Sequence, residues 1–255
     1  MEELTTKNSL GFISPRAMIA KSALCAPTVR VYGPATIGSS VVLGPNVIIG
    51  HPSPSEQTQL KSHLQSTRSM GGSPYDEIID SFVIAETVIE EGVVIRSGTI
   101  VYSGTRIAKN ADIAHACLIR ENCRIGRDTL VVTGTQIMAA VVVGHGCRIA
   151  GTLCNRTRVG NCASMLGHAM HRYKVGVPGH IEPAPNIGDG ATIGREAAIV
   201  GNVEIGNFAI VGAGAVVTKS IPASTIWIGN PATQAGVRKL EEYQELVRKV
   251  NSYED

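Results

Sequence analysis

The chain has 255 residues, with 23 Lys and Arg against 21 Asp and Glu, which gives a formal charge of +2. It therefore lacks the basic excess that nucleic acid or an anionic membrane surface attracts. No stretch approaches ~18 consecutive apolar residues, and the polar start, MEELTTKNSLG, differs from the basic and then apolar start of a signal peptide. These features predict a cytoplasmic protein that binds neither a nucleic acid polymer nor a membrane.

Apolar residues recur at every sixth position near the start of the chain, as Ile13, Ile19, Cys25, Val31, Ile37, Leu43 and Ile49. A period of six matches neither the 3.6-residue period of a helix nor the simple alternation of a flat strand. It indicates a repeat architecture in which each hexapeptide forms one short strand and a corner.

The repeat stops at His51 and resumes after Asp80. The intervening segment is polar and contains Pro52, Pro54 and Pro74, so it is predicted to leave the repeat as an extruded arm over about 51–80. It is either a mobile surface loop or an element beside an acceptor site.

The central part of the chain repeats without a break. Twelve branched aliphatics follow one another at six-residue intervals: Val83, Ile89, Ile95, Val101, Ile107, Ile113, Ile119, Ile125, Val131, Ile137, Val143 and Ile149. A small or β-branched residue precedes nearly every one of them by two positions, so both positions are predicted to face inward. Cys117, Cys123 and Cys147 share this second position and are interpreted as small buried residues.

The frame slips after Ile149 and is interrupted again by an extruded loop over about 166–186. It then returns at Ile187, Ile193, Ile199, Ile205, Val211 and Val217. The segment 233–255 has an amphipathic helical pattern and is expected to cap the end of the core. We therefore expect one repeat domain over 1–232 and a C-terminal helix over 233–255.

The segment IGDGATIGREAAIVGNVEIGNFAIVGAGAVVTKSIPASTIWIGNPA at 187–232 resembles the C-terminal coils of hexapeptide-repeat acyltransferases. The resemblance implies an all-β solenoid, a left-handed parallel β-helix, with three hexapeptides in each coil. Left-handed crossovers run against the usual rule for parallel strands, so the handedness rests on the resemblance alone.

The segments IRSGTIVYSG (95–104) and IAHACLIREN (113–122) resemble the nucleotide-linked amino-sugar N-acetyltransferases of this superfamily. The resemblance implies a homotrimer that binds acetyl-CoA between adjacent prisms and transfers the acetyl group to an amine, with no metal. Five residues become candidates for binding the CoA: Gly194, Gly212, Ala213, Lys219 and Pro222.

The acyl transfer needs a proton acceptor, for which histidine is suited near neutral pH. His115 lies in IAHAC, which resembles the catalytic segment of UDP-N-acetylglucosamine O-acyltransferases; His145 and His168 are the other candidates. His115 and His145 are expected at different corners of the prism. His171, Arg172, Lys174 and His180 are interpreted as residues of the extruded loop, with Arg172 and Lys174 either solvated or near an acceptor phosphate.

Other functions remain open at this point. The acceptor could be a small hydroxyl compound, or the donor could be an acyl carrier protein. A zinc-dependent trimeric β-helix enzyme is disfavoured, because no histidine pair shows the spacing of two coils plus five residues that such enzymes use. A non-catalytic trimeric scaffold would leave the extruded loops unexplained.

Overall fold

The computed structural model describes residues 11–66, 75–173 and 182–253, apart from the side chains of residues 63–66. Most of the chain winds into a stack of coils, each with one short strand on each of three faces. Strands one coil apart pair in parallel register, as Ile113 does with Val131. The predicted left-handed parallel β-helix is confirmed.

Three sheets, called I, II and III, form the faces. Sheet I contains β1 (Phe12–Ile13), β4 (Arg30–Val31), β7 (Ile48–His51), β10 (Ile100–Tyr102), β13 (Leu118–Ile119), β16 (Gln136–Ile137), β19 (Thr152–Leu153), β22 (His168–Met170), β25 (Ala198–Val200) and β28 (Val216–Val217). Sheet II contains β2 (Ala17–Ile19), β5 (Ala35–Ile37), β8 (Thr87–Ile89), β11 (Arg106–Ile107), β14 (Arg124–Ile125), β17 (Val142–Val143), β20 (Arg158–Val159), β23 (Asn186–Ile187) and β26 (Glu204–Ile205).

Sheet III contains β3 (Leu24–Cys25), β6 (Val42–Leu43), β9 (Val94–Ile95), β12 (Asp112–Ile113), β15 (Leu130–Val131), β18 (Arg148–Ile149), β21 (Ser164–Met165), β24 (Thr192–Ile193), β27 (Ile210–Val211), β29 (Thr225–Ile228) and β30 (Thr233–Val237). The last pair, β29 and β30, is antiparallel and closes the stack. The edges between the faces are called III–I, I–II and II–III.

The core is the interior of the prism, and it is filled as the repeat predicts. The inward aliphatics of the central coils are almost completely buried, and so are the residues two positions before them, including Cys117, Cys123 and Cys147. The thiol groups of these cysteines donate to backbone carbonyls of the same and the next coil. This narrow interior explains the low aromatic content of 4%.

The frame slip after Ile149 has a simple structural cause. At edge III–I the chain passes from Ile149 to Leu153, and later from Met165 to Ala169, in four residues where the regular repeat uses six. Two corners in succession are therefore shortened by two residues each. Gly151 forms the first of them, with φ of +81° and no room for a Cβ.

The arm is a folded insertion, which disagrees with the first of its two interpretations, a mobile surface loop, and leaves the second untested. It consists of α1 (Pro54–Ser66) and α2 (Tyr75–Phe82) and lies between β7 and β8, so it extends beyond the expected boundary of 80. Two buried carboxylates attach it to the prism. Asp80 accepts hydrogen bonds from Ser14 Oγ and the Gly33 N–H, and Glu56 accepts from Ser103 Oγ.

The C-terminal segment differs from the predicted helix over 233–255. Residues 233–237 form β30, a 3₁₀ turn follows at Leu240–Glu242, and α3 covers only Gln244–Asn251. This segment packs along edge II–III, where Tyr243 stacks on Phe208 at 4.9 Å and Tyr253 stacks on His145 at 5.5 Å. The part from Leu240 onward therefore covers a side of the prism, and only β30 closes the end of the core.

Candidate active site

Edge III–I brings together most of the residues that the sequence singled out. His115, His168, Gly194, Gly212 and Ala213 all lie at or beside the corners of this edge. The stacking is direct: the Gly134 N–H donates to the His115 carbonyl, and the Gly214 N–H donates to the Arg195 carbonyl. The two shortened corners lie between His115 and Gly194, so this edge is recessed in its middle.

His168 has the geometry of an oriented base. It begins β22 directly after the second shortened corner, and its side chain is 34% exposed. Its Nε2 lies 3.4 Å from Glu196 Oε2. A carboxylate can only accept, so this contact places the proton of the neutral ring on Nε2 and leaves Nδ1 with a free electron pair. Nδ1 lies beside Gly151, where a side chain is absent.

His115 is exposed in the turn between β12 and β13. Within the described parts of the chain its ring has no hydrogen-bond partner that would fix a tautomer. Three coil spacings separate its corner from that of His168, which is about 14 Å at the spacing of paired strands. The two rings therefore cannot act on one reacting atom within a single subunit.

His145 lies on a different edge, II–III, as the sequence predicted. Its Nδ1 accepts the Arg127 N–H at 2.9 Å. The same bond repeats in the following coils, where the side-chain oxygens of Asn161, Asp189 and Asn207 accept backbone N–H groups of the preceding coil. His145 is thus one member of a ladder of side-chain acceptors.

The environment of His145 determines its protonation state. Burial and the nearby Arg127 guanidinium lower its pKa, so the ring is neutral at pH 7. Because Nδ1 is occupied as an acceptor, the proton is on Nε2. In this state His145 is a hydrogen-bond donor, and it has no free electron pair with which to accept a proton.

The five candidates for CoA binding do not form one cluster within a subunit. Gly194, Gly212 and Ala213 line edge III–I, and a Cβ on Gly194 would lie 2.5 Å from the Ala213 nitrogen. Lys219 lies at edge I–II in a cleft of about 460 Å³ beside Trp227, and Pro222 lies at edge II–III beneath Gly206. The five candidates are therefore divided among all three edges of the prism.

The extruded loop leaves sheet I shortly after His168, and its returning end at Glu182 contacts its start. The His171 Nδ1–H donates to the Glu182 carbonyl at 3.1 Å, and the Arg172 guanidinium donates to the carbonyls of Val200 and Thr218. Arg172 therefore holds the loop to sheet I, a structural role that the sequence did not indicate. Lys174 and His180 lie outside the described residues.

His51 was not singled out from the sequence, although its ring is also oriented. Its Nδ1–H donates to the Pro52 carbonyl at 3.1 Å, and its ring packs on Tyr102 at 4.5 Å. Burial lowers its pKa. It lines a cleft of about 600 Å³ beneath the arm, together with Lys61, Tyr75 and Ile79. Only its place at the first residue of the repeat break could have drawn attention to it.

The described residues contain neither a group of metal ligands nor a helix that could span a membrane. Within 11–66, 75–173 and 182–253, no three His, Cys, Asp or Glu side chains are grouped closely enough to hold a metal ion. In the same ranges, no helix has the length and hydropathy needed to cross a bilayer.

Comparison with known proteins identifies the repeat. Residues 184–219 match the family model described as bacterial transferase hexapeptide (six repeats). The fold matches a solved structure of UDP-N-acetylglucosamine O-acyltransferase from Moraxella catarrhalis, with a TM-score of 0.54 and 20% identity, over 93% of this chain and 76% of the other. The chain is a hexapeptide-repeat β-helix protein.

Sequence relatives of this hexapeptide-repeat protein match only part of it. Serine acetyltransferase 4 of Arabidopsis thaliana is 36% identical over 111 residues, which is 41% of this chain and 30% of the relative. Bifunctional protein GlmU of Pseudoalteromonas atlantica is 27% identical over 149 residues, or 46% of this chain and 32% of the relative. The chain thus spans about a third of the length of these curated relatives.

Proposed function

We propose that this protein is an acyltransferase that uses acetyl-CoA or another acyl-CoA, with its reacting groups on edge III–I. The observation that carries the proposal is the placement of His168, oriented by Glu196, beside the corners of Gly194, Gly212 and Ala213. The match of residues 184–219 to a transferase repeat supports it.

In the proposed reaction His168 acts as the general base. The acceptor nitrogen or oxygen attacks the thioester carbonyl carbon, and its proton moves to Nδ1 of His168. The C–S bond then breaks, and the sulfur leaves as the thiol of CoA after taking up a proton. Glu196 holds the ring and stabilises the imidazolium that forms, which makes it a positioning residue.

The first acceptor that we propose is the amine of a nucleotide-linked amino sugar. Its support is the resemblance carried by IRSGTIVYSG (95–104) and IAHACLIREN (113–122). The second is the hydroxyl of a small compound such as serine, supported by the identity to serine acetyltransferase 4. We also propose a homotrimer, in which a neighbouring prism would bring edges I–II or II–III of one subunit toward edge III–I of the next.

The activity is tested by release of thiol from acetyl-CoA, with UDP-linked amino sugars and L-serine as separate acceptors and with light scattering to report the assembly. Turnover with an amino sugar supports the first acceptor, and turnover with serine alone supports the second. Absence of both turnover and CoA binding would contradict the proposal.

The base is tested with two variants. We expect His168→Ala to lower turnover by about 10²-fold or more, since a positioned base contributes roughly 10²–10⁴ in rate. His115→Ala is the matched control, because it removes a histidine from the same edge and is expected to leave turnover within a few-fold of wild type. A large loss in His115→Ala with normal turnover in His168→Ala would transfer the role of base to His115.

A further inference from the structure

The outer face of sheet II carries a basic cleft that the proposed reaction does not use. It has a volume of about 530 Å³ and is lined by Arg106, Lys109, Arg124 and Arg127 against a single carboxylate, Glu90. Two more carboxylates lie at the margin of the cleft, Glu91 paired with Lys109 and Asp128 bonded to the Tyr253 hydroxyl, so four positive and three negative groups leave a charge of +1. The positive group without a carboxylate partner is therefore the feature of this cleft that calls for a ligand.

The positive groups of this cleft are engaged to different extents. Arg106 pairs with Glu90, Lys109 pairs with Glu91 at 3.1 Å, and the Arg127 guanidinium lies over the Tyr253 ring at 5.1 Å. Arg124 is exposed, and among the described residues its guanidinium has no ion-pair or hydrogen-bond partner. An unpaired guanidinium presents a planar fork of donors that fits the oxygens of a phosphate.

The cleft also contains a donor that is fixed in position. His145 lines the cleft, and its Nδ1 is bound to the Arg127 N–H, so its Nε2–H is its remaining polar group. The stacked Tyr253 ring holds the imidazole in place. The floor is apolar, formed by Ala108, Val142 and the backbone of Gly144. Separate cationic groups around an apolar floor suit a ligand that has phosphate groups and an apolar part.

We propose that the sheet II cleft binds a ligand bearing a pyrophosphate group. Arg124 and Arg127 contact the phosphate oxygens, His145 donates to one of them, and the apolar floor holds the organic part. Two sources share this chemistry, the pyrophosphate of coenzyme A and that of a nucleotide-linked acceptor. The proposal concerns binding, and it stands whether or not the chain transfers acyl groups.

The test is calorimetric titration of the full chain with inorganic pyrophosphate at low ionic strength. Arg124→Gln is expected to weaken binding at least about tenfold, since a charge-assisted contact is lost. Arg148→Gln is the matched control, because Arg148 occupies the same repeat position on sheet III, is also exposed, and its loss changes the charge by the same amount. It should change the affinity by less than about twofold.

A second variant tests the fixed donor. His145→Asn retains an acceptor for the Arg127 N–H, as Asn161 does for the next coil, and removes the Nε2–H. It should lower the thermal stability only slightly, through loss of the stack on Tyr253, and weaken pyrophosphate binding several-fold. Coenzyme A and uridine diphosphate are titrated separately, and the compound whose affinity falls in Arg124→Gln identifies the source.

Three results would overturn the proposal. They are absence of saturable pyrophosphate binding to the wild type, equal losses in Arg124→Gln and Arg148→Gln, and unchanged affinity of Arg124→Gln for all three compounds. None of these results depends on turnover, so failure of this proposal and failure of the proposed function are distinguishable.

Discussion

The side chains that follow a glycine at the corners of edge II–III share one structural role, although their residue types differ. His145, Asn161, Asp189 and Asn207 each follow an inward aliphatic and a glycine, and each accepts a backbone N–H of the preceding coil. The ladder fixes those corners. It also explains why a histidine there carries its proton on Nε2, which the sequence could have indicated if VGHG had been aligned with VGNC and IGDG.

Two glycines of edge III–I, Gly151 and Gly134, should contribute differently to the free energy of unfolding. Gly151 and Gly134 both have positive φ on edge III–I, but a Cβ at Gly151 would lie 2.2 Å from the Gly167 carbonyl oxygen, whereas a Cβ at Gly134 would meet nothing within 4 Å. Gly134→Ala carries only the conformational cost of about 1–2 kcal/mol. Gly151→Ala adds a backbone clash of roughly 1–3 kcal/mol.

We therefore expect Gly151→Ala to lower the free energy of unfolding clearly more than Gly134→Ala, as measured by urea denaturation at one protein concentration. The comparison removes the contribution of φ, because it is common to both positions. Equal destabilisation would show that the shortened corner relaxes enough to admit a methyl group.

At the scale of elements, the arm depends on a carboxylate that is almost fully buried. Glu56 accepts hydrogen bonds from the Ser53 and Ile84 N–H groups and from Ser103 Oγ, at 2.6 to 2.7 Å. Burial alone would raise its pKa, but these hydrogen bonds outweigh burial and lower it below the ordinary value of 4.5. The ionised form of Glu56 therefore joins α1 to Ile84, before β8, and to Ser103, after β10.

Glu56→Gln should destabilise the protein by about 1–3 kcal/mol, because the amide nitrogen cannot accept from the buried donors that it would face. The pKa of Glu56 is lower in the folded chain than in the unfolded chain. Its contribution is therefore complete above about pH 4.5 and is lost as the pH falls through the folded value. Thermal unfolding should show the largest deficit near pH 7 and a smaller one below pH 4.

The control for this variant is Glu77→Gln on α2, where the side chain is exposed and makes no hydrogen bond or ion pair with any other described residue. It should leave the melting temperature within about 1 °C of the wild type, as surface substitutions usually do. A deficit in Glu56→Gln that does not change between pH 7 and pH 4 would contradict the role of the ionised carboxylate.

The sequence predicted some elements well and others poorly, for physical reasons. The hexapeptide strands were evident because burial recurs at a fixed interval. The start of α1 does have a local signal that was not recognised in the sequence, because Ser53 and Glu56 form a reciprocal capping box around Pro54. The contacts that attach the arm to the prism, from Asp80 to the Gly33 N–H and from Glu56 to the Ile84 N–H, join residues far apart in the chain and leave no local pattern. The strand β30 was missed because it pairs antiparallel with β29 only where the coils end.

For the whole molecule, the repeat specifies the prism but not the site. The periodicity placed the inward residues and put His115 and His145 on different edges. It could not show that two corners shorten, that His168 meets Glu196 across 28 residues of sequence, or that basic side chains from successive coils gather on sheet II. These features arise from stacking, which brings residues together at intervals set by coil length.

Stacking also makes stability depend on position along the prism. Each coil of a solenoid contacts only its neighbours, so an interior coil is packed on both sides and a terminal coil on one. Ile113 is fully buried in β12 between β9 and β15. Ile13 in β1, at the same repeat position, is 47% exposed, and among the described residues its strand has a partner on one side only. Replacement of isoleucine by alanine should therefore lower the free energy of unfolding more at position 113 than at position 13.

We expect Ile113→Ala to lower the melting temperature by about 5 °C or more, since truncation of a buried isoleucine costs roughly 2–5 kcal/mol. Ile13→Ala should lower it by about 2 °C or less, because much of that side chain already contacts solvent. Differential scanning calorimetry at a fixed protein concentration measures both. Equal shifts in melting temperature would mean that the coil containing β1 is packed as tightly as an interior coil. Ile13 would then be covered in solution, contrary to the expectation.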